Sequence, residues 1–173
     1  EPHAGIVWID NDGRVQVWAP NKAPHRLKLN LSDAIGLELD QIVVHHSTIG
    51  ADFGGKGSPM DIPVAYFLAV KTGRPVKTVL TYAEELSAAN PRHPSSIRMR
   101  TGLKKDGTFT AHEAKILFNS GAYGGFKPVP GVNLPGAAHA AGMYRFPHAR
   151  IEATIVYTNT IPGGFFRGPG AVQ

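Results

Sequence analysis

The sequence predicts an α+β fold, with mixed sheets built from hairpins and two main helices. Three observations predict it. Asp-Gly pairs punctuate stretches rich in β-branched and aromatic residues, the mark of tight hairpins. Two segments carry apolar residues at helical spacing. The 20 glycines and 14 prolines cluster near 50–59, 121–136 and 162–170, as long ordered loops around a site do.

In chain order, "GIVWIDNDGRVQVWAP" alternates on both sides of Asp12-Gly13 and reads as a hairpin. Leu27, Leu31, Ala34 and Ile35 recur at i, i+4, i+7 and i+8, so a helix fits 24–35. Residues 41–47 read as a buried strand. Pro59 and Asp61 open a second helix, which Val64, Phe67, Leu68 and Val70 carry to a glycine stop at Gly73. "PVKTVLTY", 75–82, reads as a strand. Ile97, Met99 and Thr101 alternate, Asp106-Gly107 makes the turn, and Phe109 starts the return. A short helix is expected near 136–141, and "RIEATIVYTNT", 150–160, is the last strand. With no repeat or linker visible, 1–173 is expected to form a single domain.

Composition narrows the function classes. The net charge is +5, but the longest basic run is Lys104-Lys105, placed in a turn, so no nucleic-acid partner is expected. There is no cysteine, which excludes disulfides, thiolate zinc sites, a Cys nucleophile and iron–sulfur clusters held by this chain. This fits a reducing compartment, and a cytoplasmic location is expected. No apolar span reaches the roughly 18 residues of a membrane helix, and no membrane partner is expected. The chain starts without Met and ends inside a glycine-rich stretch, so it is expected to be a fragment of a longer polypeptide.

The stretch "STIGADFGGKGSPMD" poses the central question. Gly50, Gly55 and Lys56 stand where a phosphate-cradling G-x-x-x-x-G-K-[ST] loop would put them. That loop needs Ser or Thr directly after the Lys for magnesium, but Gly57 is there and Ser58 comes one residue late. The helix should start at the Lys, and Pro59 and Asp61 delay it. An NTPase is therefore disfavoured, which leaves a structural glycine turn or a different anion-holding loop. "FFRGPGAVQ" repeats the theme, with Arg167 among Gly164, Gly168 and Gly170. Glycines let a ligand approach, and the planar guanidinium suits phosphate or a metal-bound oxygen. The two loops could converge on one anionic cofactor.

Six segments occur in a familiar order: "EPHA" at 1–4, "VQVWAPNKAPH" at 15–25, "GADFGGKG" at 50–57, "KTGRPVK" at 71–77, "NPRHPS" at 90–95 and "FFRGPGAVQ" at 165–173. Together they resemble the molybdopterin-binding large subunit of the xanthine dehydrogenase, aldehyde oxidase and carbon monoxide dehydrogenase family, over essentially the whole chain. The resemblance implies that 1–173 is part of a molybdopterin-binding domain. It implies that the family's G-G-F-G-G segment, lying against the pterin and the metal's ligands, falls on Ala51, Asp52, Phe53, Gly54 and Gly55. Asp52 brings a carboxylate near an anionic cofactor and is expected to point away or to cap the next helix. Phe53 either packs over the metal's open side or is a plain core residue. The family's F-R-G-x-G loop falls on Phe166, Arg167, Gly168 and Gly170, and Arg167 is the side chain assigned to catalysis. Lys22 stands where the family has an oxo-binding Gln, and it either donates to an oxo ligand or faces solvent.

Purine-oxidising members carry a Glu where Gly57 stands and a stacking Phe where Pro169 stands, so the resemblance points away from xanthine and toward an aldehyde or an N-heterocycle. The missing cysteine argues against carbon monoxide. The implied reaction is hydroxylation with water as the oxygen source. The implied cofactor is molybdenum–molybdopterin, as the cytosine dinucleotide if the source is bacterial, with iron–sulfur clusters and FAD on partner domains or subunits. The other implied partners are a small-molecule substrate and the remainder of the large subunit, in a complex that dimerises. The family's general base is a Glu expected beyond Gln173, so the chain alone is expected to be inactive. The rival reading is a non-catalytic binding or assembly module that keeps the fold and has lost the metal. His45-His46 alternate across a strand and His93 lies in "NPRHPS", so structural roles are expected for them, as for Glu84 and Glu85.

Overall fold

The computed structural model describes residues 1–123 and 136–169. The chain divides into two compact units, Glu1–Asn90 and Pro91–Gln173.

In the first unit, β1 (Ala4–Ile9) and β2 (Val15–Trp18) form the expected hairpin. Gly13 takes the left-handed conformation at φ 78°, and Asp10 Oδ1 accepts the amides of Asp12 and Arg14 at 3.0 and 2.8 Å. The next strand, β3 (Ile42–His45), runs parallel to β2, which requires a crossover. Helix α1 (Pro24–Ile35) supplies it, followed by a single 3₁₀ turn, Leu39–Gln41. Helix α2 (Ile62–Thr72) then leads to β4 (Val76–Val79), antiparallel to β1, for a sheet order β3-β2-β1-β4. Both helices begin with proline in the first turn and stop on a left-handed glycine, Gly36 or Gly73. Val7, Val15 and Val17 of the sheet bury against Leu27 and Leu31 of α1 and Ile62, Ala65 and Ala69 of α2. That packing fixes both ends of the 46–61 loop.

Two elements differ from the sequence reading. The strand expected to be buried over 41–47 is β3, with Ile42 buried and Val43, Val44 and His45 half-buried. The strand expected to reach residue 82 stops at Val79, and a third helix, α3 (Tyr82–Ala88), begins. Its cause is a capping box. Thr81 Oγ1 accepts the Glu84 amide at 3.3 Å while Glu84 Oε2 accepts the Thr81 amide at 2.7 Å.

In the second unit, β5 (Ser95–Leu103) and β6 (Phe109–Gly121) form the expected hairpin around Gly107. The last strand, β7 (His148–Tyr157), is parallel to β6, giving the order β5-β6-β7. The short helix α4 (Gly136–His139) falls where it was expected. Alternate residues His112, Ala114, Ile116 and Phe118 of β6 are buried on one face. Gly121, at φ 73°, has no room for a side chain, because a Cβ would run into the Ile161 carbonyl. The glycines and prolines at 124–135, and Gly170, lie outside the described residues. No helix among the described residues is long and apolar enough to cross a membrane.

Candidate cofactor site

The chain leaves β3 and winds through 50–58 before α2 begins at Ile62. Asp52 organises this loop. Its Oδ2 accepts the Gly54 amide at 2.9 Å, its Oδ1 the Lys56 amide at 2.6 Å, and its backbone carbonyl the Gly55 amide at 3.0 Å. The expectation that Asp52 caps the next helix is corrected: the N-cap position of α2 is Asp61, and Asp52 caps its own loop. The backbone is bent to suit, with Phe53 at φ 49° and Gly54 at φ 98°. A left-handed Phe costs about 1–2 kcal/mol, and such strain gathers at functional sites. The Phe53 ring is 51% exposed, so in this chain it is no plain core residue.

Lys22 and Asp52, two of the residues that depart from the family pattern, meet. Lys22 Nζ lies 3.2 Å from Asp52 Oδ2 and donates to the Gly54 carbonyl at 3.1 Å. Its backbone amide donates to Lys56 O at 3.0 Å, and Asn21 Nδ2 to Ser58 O at 3.2 Å. The Asn21-Lys22 strap thus lies along the loop. Lys22 is neither simply solvent-facing nor wholly available as a donor.

Burial alone would push the Asp52 carboxyl up. The Gly54 and Lys56 amides and Lys22 outweigh it and hold the group below its ordinary value. A carboxyl held low in the folded chain stabilises it above the unfolded value of about 4, and the contribution is lost as pH falls through the lower folded value. Lys22→Gln keeps a donor for Gly54 O but removes the charge. We expect acid loosening of the loop, followed by proteolysis of 50–58, to begin at higher pH in that variant. An unchanged profile would show that Lys22 does not support Asp52.

Lys56 answers the phosphate-loop question. Its side chain is 2% exposed, and Nζ is 2.6 Å from Glu1 Oε1 and 3.4 Å from Pro2 O. Glu1 also accepts the Gly50 amide, and the Lys56 bond above all holds its carboxyl low. A lysine turned into the protein cannot cradle phosphates. Another carbonyl of the loop, Gly55 O, takes Asn90 Nδ2 at 2.8 Å and His3 Nε2 at 3.2 Å. His3 Nδ1 is 2.7 Å from Glu85 Oε1, whose Oε2 accepts the His3 amide at 2.9 Å.

In the second unit, Phe166, Arg167 and Gly168 form the second loop, with Gly168 at φ 62° and the Arg167 side chain exposed. The "NPRHPS" segment buttresses it. Arg92 Nη1 donates to Arg167 O at 2.8 Å, and its guanidinium lies 5.1 Å over the Phe166 ring. Pro91 O accepts the Gly164 amide at 3.0 Å. His93 is buried against Gly163, where a Cβ would stand 2.7 Å from the imidazole.

Of the residues singled out from the sequence, Lys22 and Ala51 to Gly55 gather in one loop cluster, and Phe166 to Gly168 in another. Sequence reasoning missed Glu1, His3, Lys56, Glu85, Asn90 and Arg92 as supports. "EPHA" and "NPRHPS" marked their positions but not their partners. His45 is structural, bound to Gln16 Oε1 at 2.7 Å and stacked on Trp18 at 4.2 Å.

The residues of each loop fit an anionic cofactor. In the first, Lys22 neutralises the Asp52 charge and Phe53 is half-exposed. In the second, Arg167 supplies a charged fork. An α+β frame that stretches a bent glycine loop over a buried lysine defines a ligand-holding domain rather than a nucleotide-hydrolysing one. The chain belongs to the molybdopterin cofactor-binding domain family, whose model matches residues 1–173. It is 34% identical over its whole length to a protein of Bacillus subtilis named as a probable xanthine dehydrogenase component, covering 23% of that protein. It is 32% identical to the nicotinate dehydrogenase large molybdopterin subunit of Eubacterium barkeri, with all of this chain and 40% of that one covered. Among solved structures, the aldehyde oxidoreductase from Desulfovibrio gigas matches 98% of this chain and 18% of its own, at 30% identity and a TM-score of 0.81. These relatives are oxidoreductases by name, and the chain spans well under half of each.

Proposed function

We propose that this chain is the molybdopterin-holding part of a molybdenum hydroxylase that oxidises aldehydes or N-heterocycles with water as the oxygen source. The self-supported 50–58 loop carries the reading, since it presents Phe53 at a strained backbone position with the acid beside it neutralised. When bound, the cofactor supplies the redox centre for a two-electron oxidation. Ala51, Asp52, Phe53, Gly54 and Gly55 form the wall against it. Lys22 sets that wall's shape, with one ammonium donor to spare. Phe166, Arg167 and Gly168 hold the same group, an assignment made on the sequence pattern, with Arg167 stabilising negative charge at the reacting centre. Gly57 and Pro169 leave out the groups that purine-oxidising members use, which favours the other two substrate classes. Nicotinate, named in one relative, is itself an N-heterocycle. Electrons pass to iron–sulfur and FAD partners, and the assembled complex is a cytoplasmic dimer with a cytosine dinucleotide cofactor if bacterial. Residues 1–173 act as one domain of it.

One observation favours a second reading. The amides of Gly54, Gly55 and Lys56 are answered within the loop, as they would be in a metal-free module. The molybdenum and pterin content of the full-length protein, purified with its native partners, separates the two. About one of each per copy is expected. Neither, in a folded complex from a host that makes the cofactor, would overturn the hydroxylase and leave the module.

A further inference from the structure

The second unit holds a cavity of about 360 Å³ between the buried face of its sheet and the segment running from α4 to Phe146. That volume lies in the range of small-molecule sites. Its walls are apolar and aromatic, with Phe118 and Ile116 from β6, Met99 from β5, and Tyr144 and Phe146 opposite. Thr101, His112, His139 and the Tyr144 hydroxyl break this lining, and His112 is the buried imidazole among them. His112 is 7% exposed and its ring stacks on Phe146 at 4.6 Å. Its Nδ1 lies 3.0 Å from Thr101 Oγ1, across the β5–β6 pairing, while Nε2 is buried with no hydrogen-bond partner among the described residues.

A buried polar atom left unpaired costs about 1–3 kcal/mol. Buried nitrogens are normally paired, so an orphan aimed into a cavity marks a place where a ligand atom belongs. The Thr101 bond leaves two tautomers open. If Thr101 donates, Nε2 carries the proton and donates; if Nδ1 donates, Nε2 accepts. A hydroxyl both donates and accepts, so it satisfies either. The aromatic walls favour a flat, apolar body behind that hydroxyl. No Lys, Arg, Asp or Glu lines the cavity to pair with a charge, which favours a neutral ligand.

We propose that this cavity is a binding site for a small neutral aromatic alcohol, its ring against Ile116 and Phe118 and its hydroxyl on His112 Nε2. The site needs neither loop of the cofactor reading, so the two proposals fail separately.

The test is calorimetric titration of the full-length protein with 2-naphthol, with naphthalene as the control lacking the hydroxyl. Saturable binding is expected, at least tenfold weaker for naphthalene. His112→Phe, which keeps the stacking on Phe146, should remove the preference between the two probes. Ala140→Phe, which fills the cavity from the helix side, should abolish binding of both. No saturable binding, equal affinity for the two probes, or 2-naphthol binding that survives Ala140→Phe in the folded protein would each overturn the proposal. The last would place the probe in another pocket, including the substrate site.

Discussion

Arg167→Ala in the assembled, cofactor-loaded enzyme is expected to lower turnover by about 10²–10³-fold, the usual cost of removing one preorganised donor from a reacting centre. Folding should be unchanged. The side chain is exposed, and backbone bonds that support this loop, Arg92 Nη1 to Arg167 O and the Gly164 amide to Pro91 O, survive the substitution. Arg167→Lys retains the charge but not the planar fork, and should recover only part of the loss. The molybdenum content of the variant shows which role fails. Normal content with lost turnover means charge stabilisation at the reaction; lost content means that Arg167 holds the cofactor. Full activity with full content would refute the assignment.

Lys56→Met should be among the most destabilising changes in the first unit. Removing one partner of a buried ion pair costs about 3–5 kcal/mol when both are buried. Glu1 is 37% exposed, so water recovers part of that and about 2–3 kcal/mol is expected. Lys56→Ala loses the buried stem as well and should cost more. Chemical denaturation of the two variants measures the difference. A phosphate-binding lysine would behave in the opposite way, with little change in stability and a loss of magnesium-dependent ATP binding. The second pattern would reopen the nucleotide reading that the geometry closes.

Elements with a local cause were legible in the sequence. Asp12-Gly13 and Asp106-Gly107 fix hairpins because glycine alone accepts the left-handed turn cheaply. Pro24, Gly36 and Gly73 mark helix ends for the same kind of reason. Helix α3 was equally local, since Thr81 and Glu84 form its capping box, but the β-branched run before it drew the strand too far. Pairings across the chain were out of reach. His3 and Glu85 stand 82 residues apart, and nothing in either neighbourhood names the other. Lys22 and Asp52 were visible as two separate departures from a pattern. Only their 3.2 Å approach shows that each accounts for the other. The parallel placing of β7 beside β6 is likewise a pairing across the chain, which the glycines and prolines near 121–136 mark as a loop without naming its partner strands.

The way Asp52 closes its own loop bears on how the protein is assembled. A loop whose amides are already engaged does not wait for a guest to take shape. On the proposed reading, a pterin would meet a finished wall, and loaded and empty molecules would share one shape. A homogeneous outline would then be no certificate of occupancy, and molybdenum counted per chain would have to stand beside every activity.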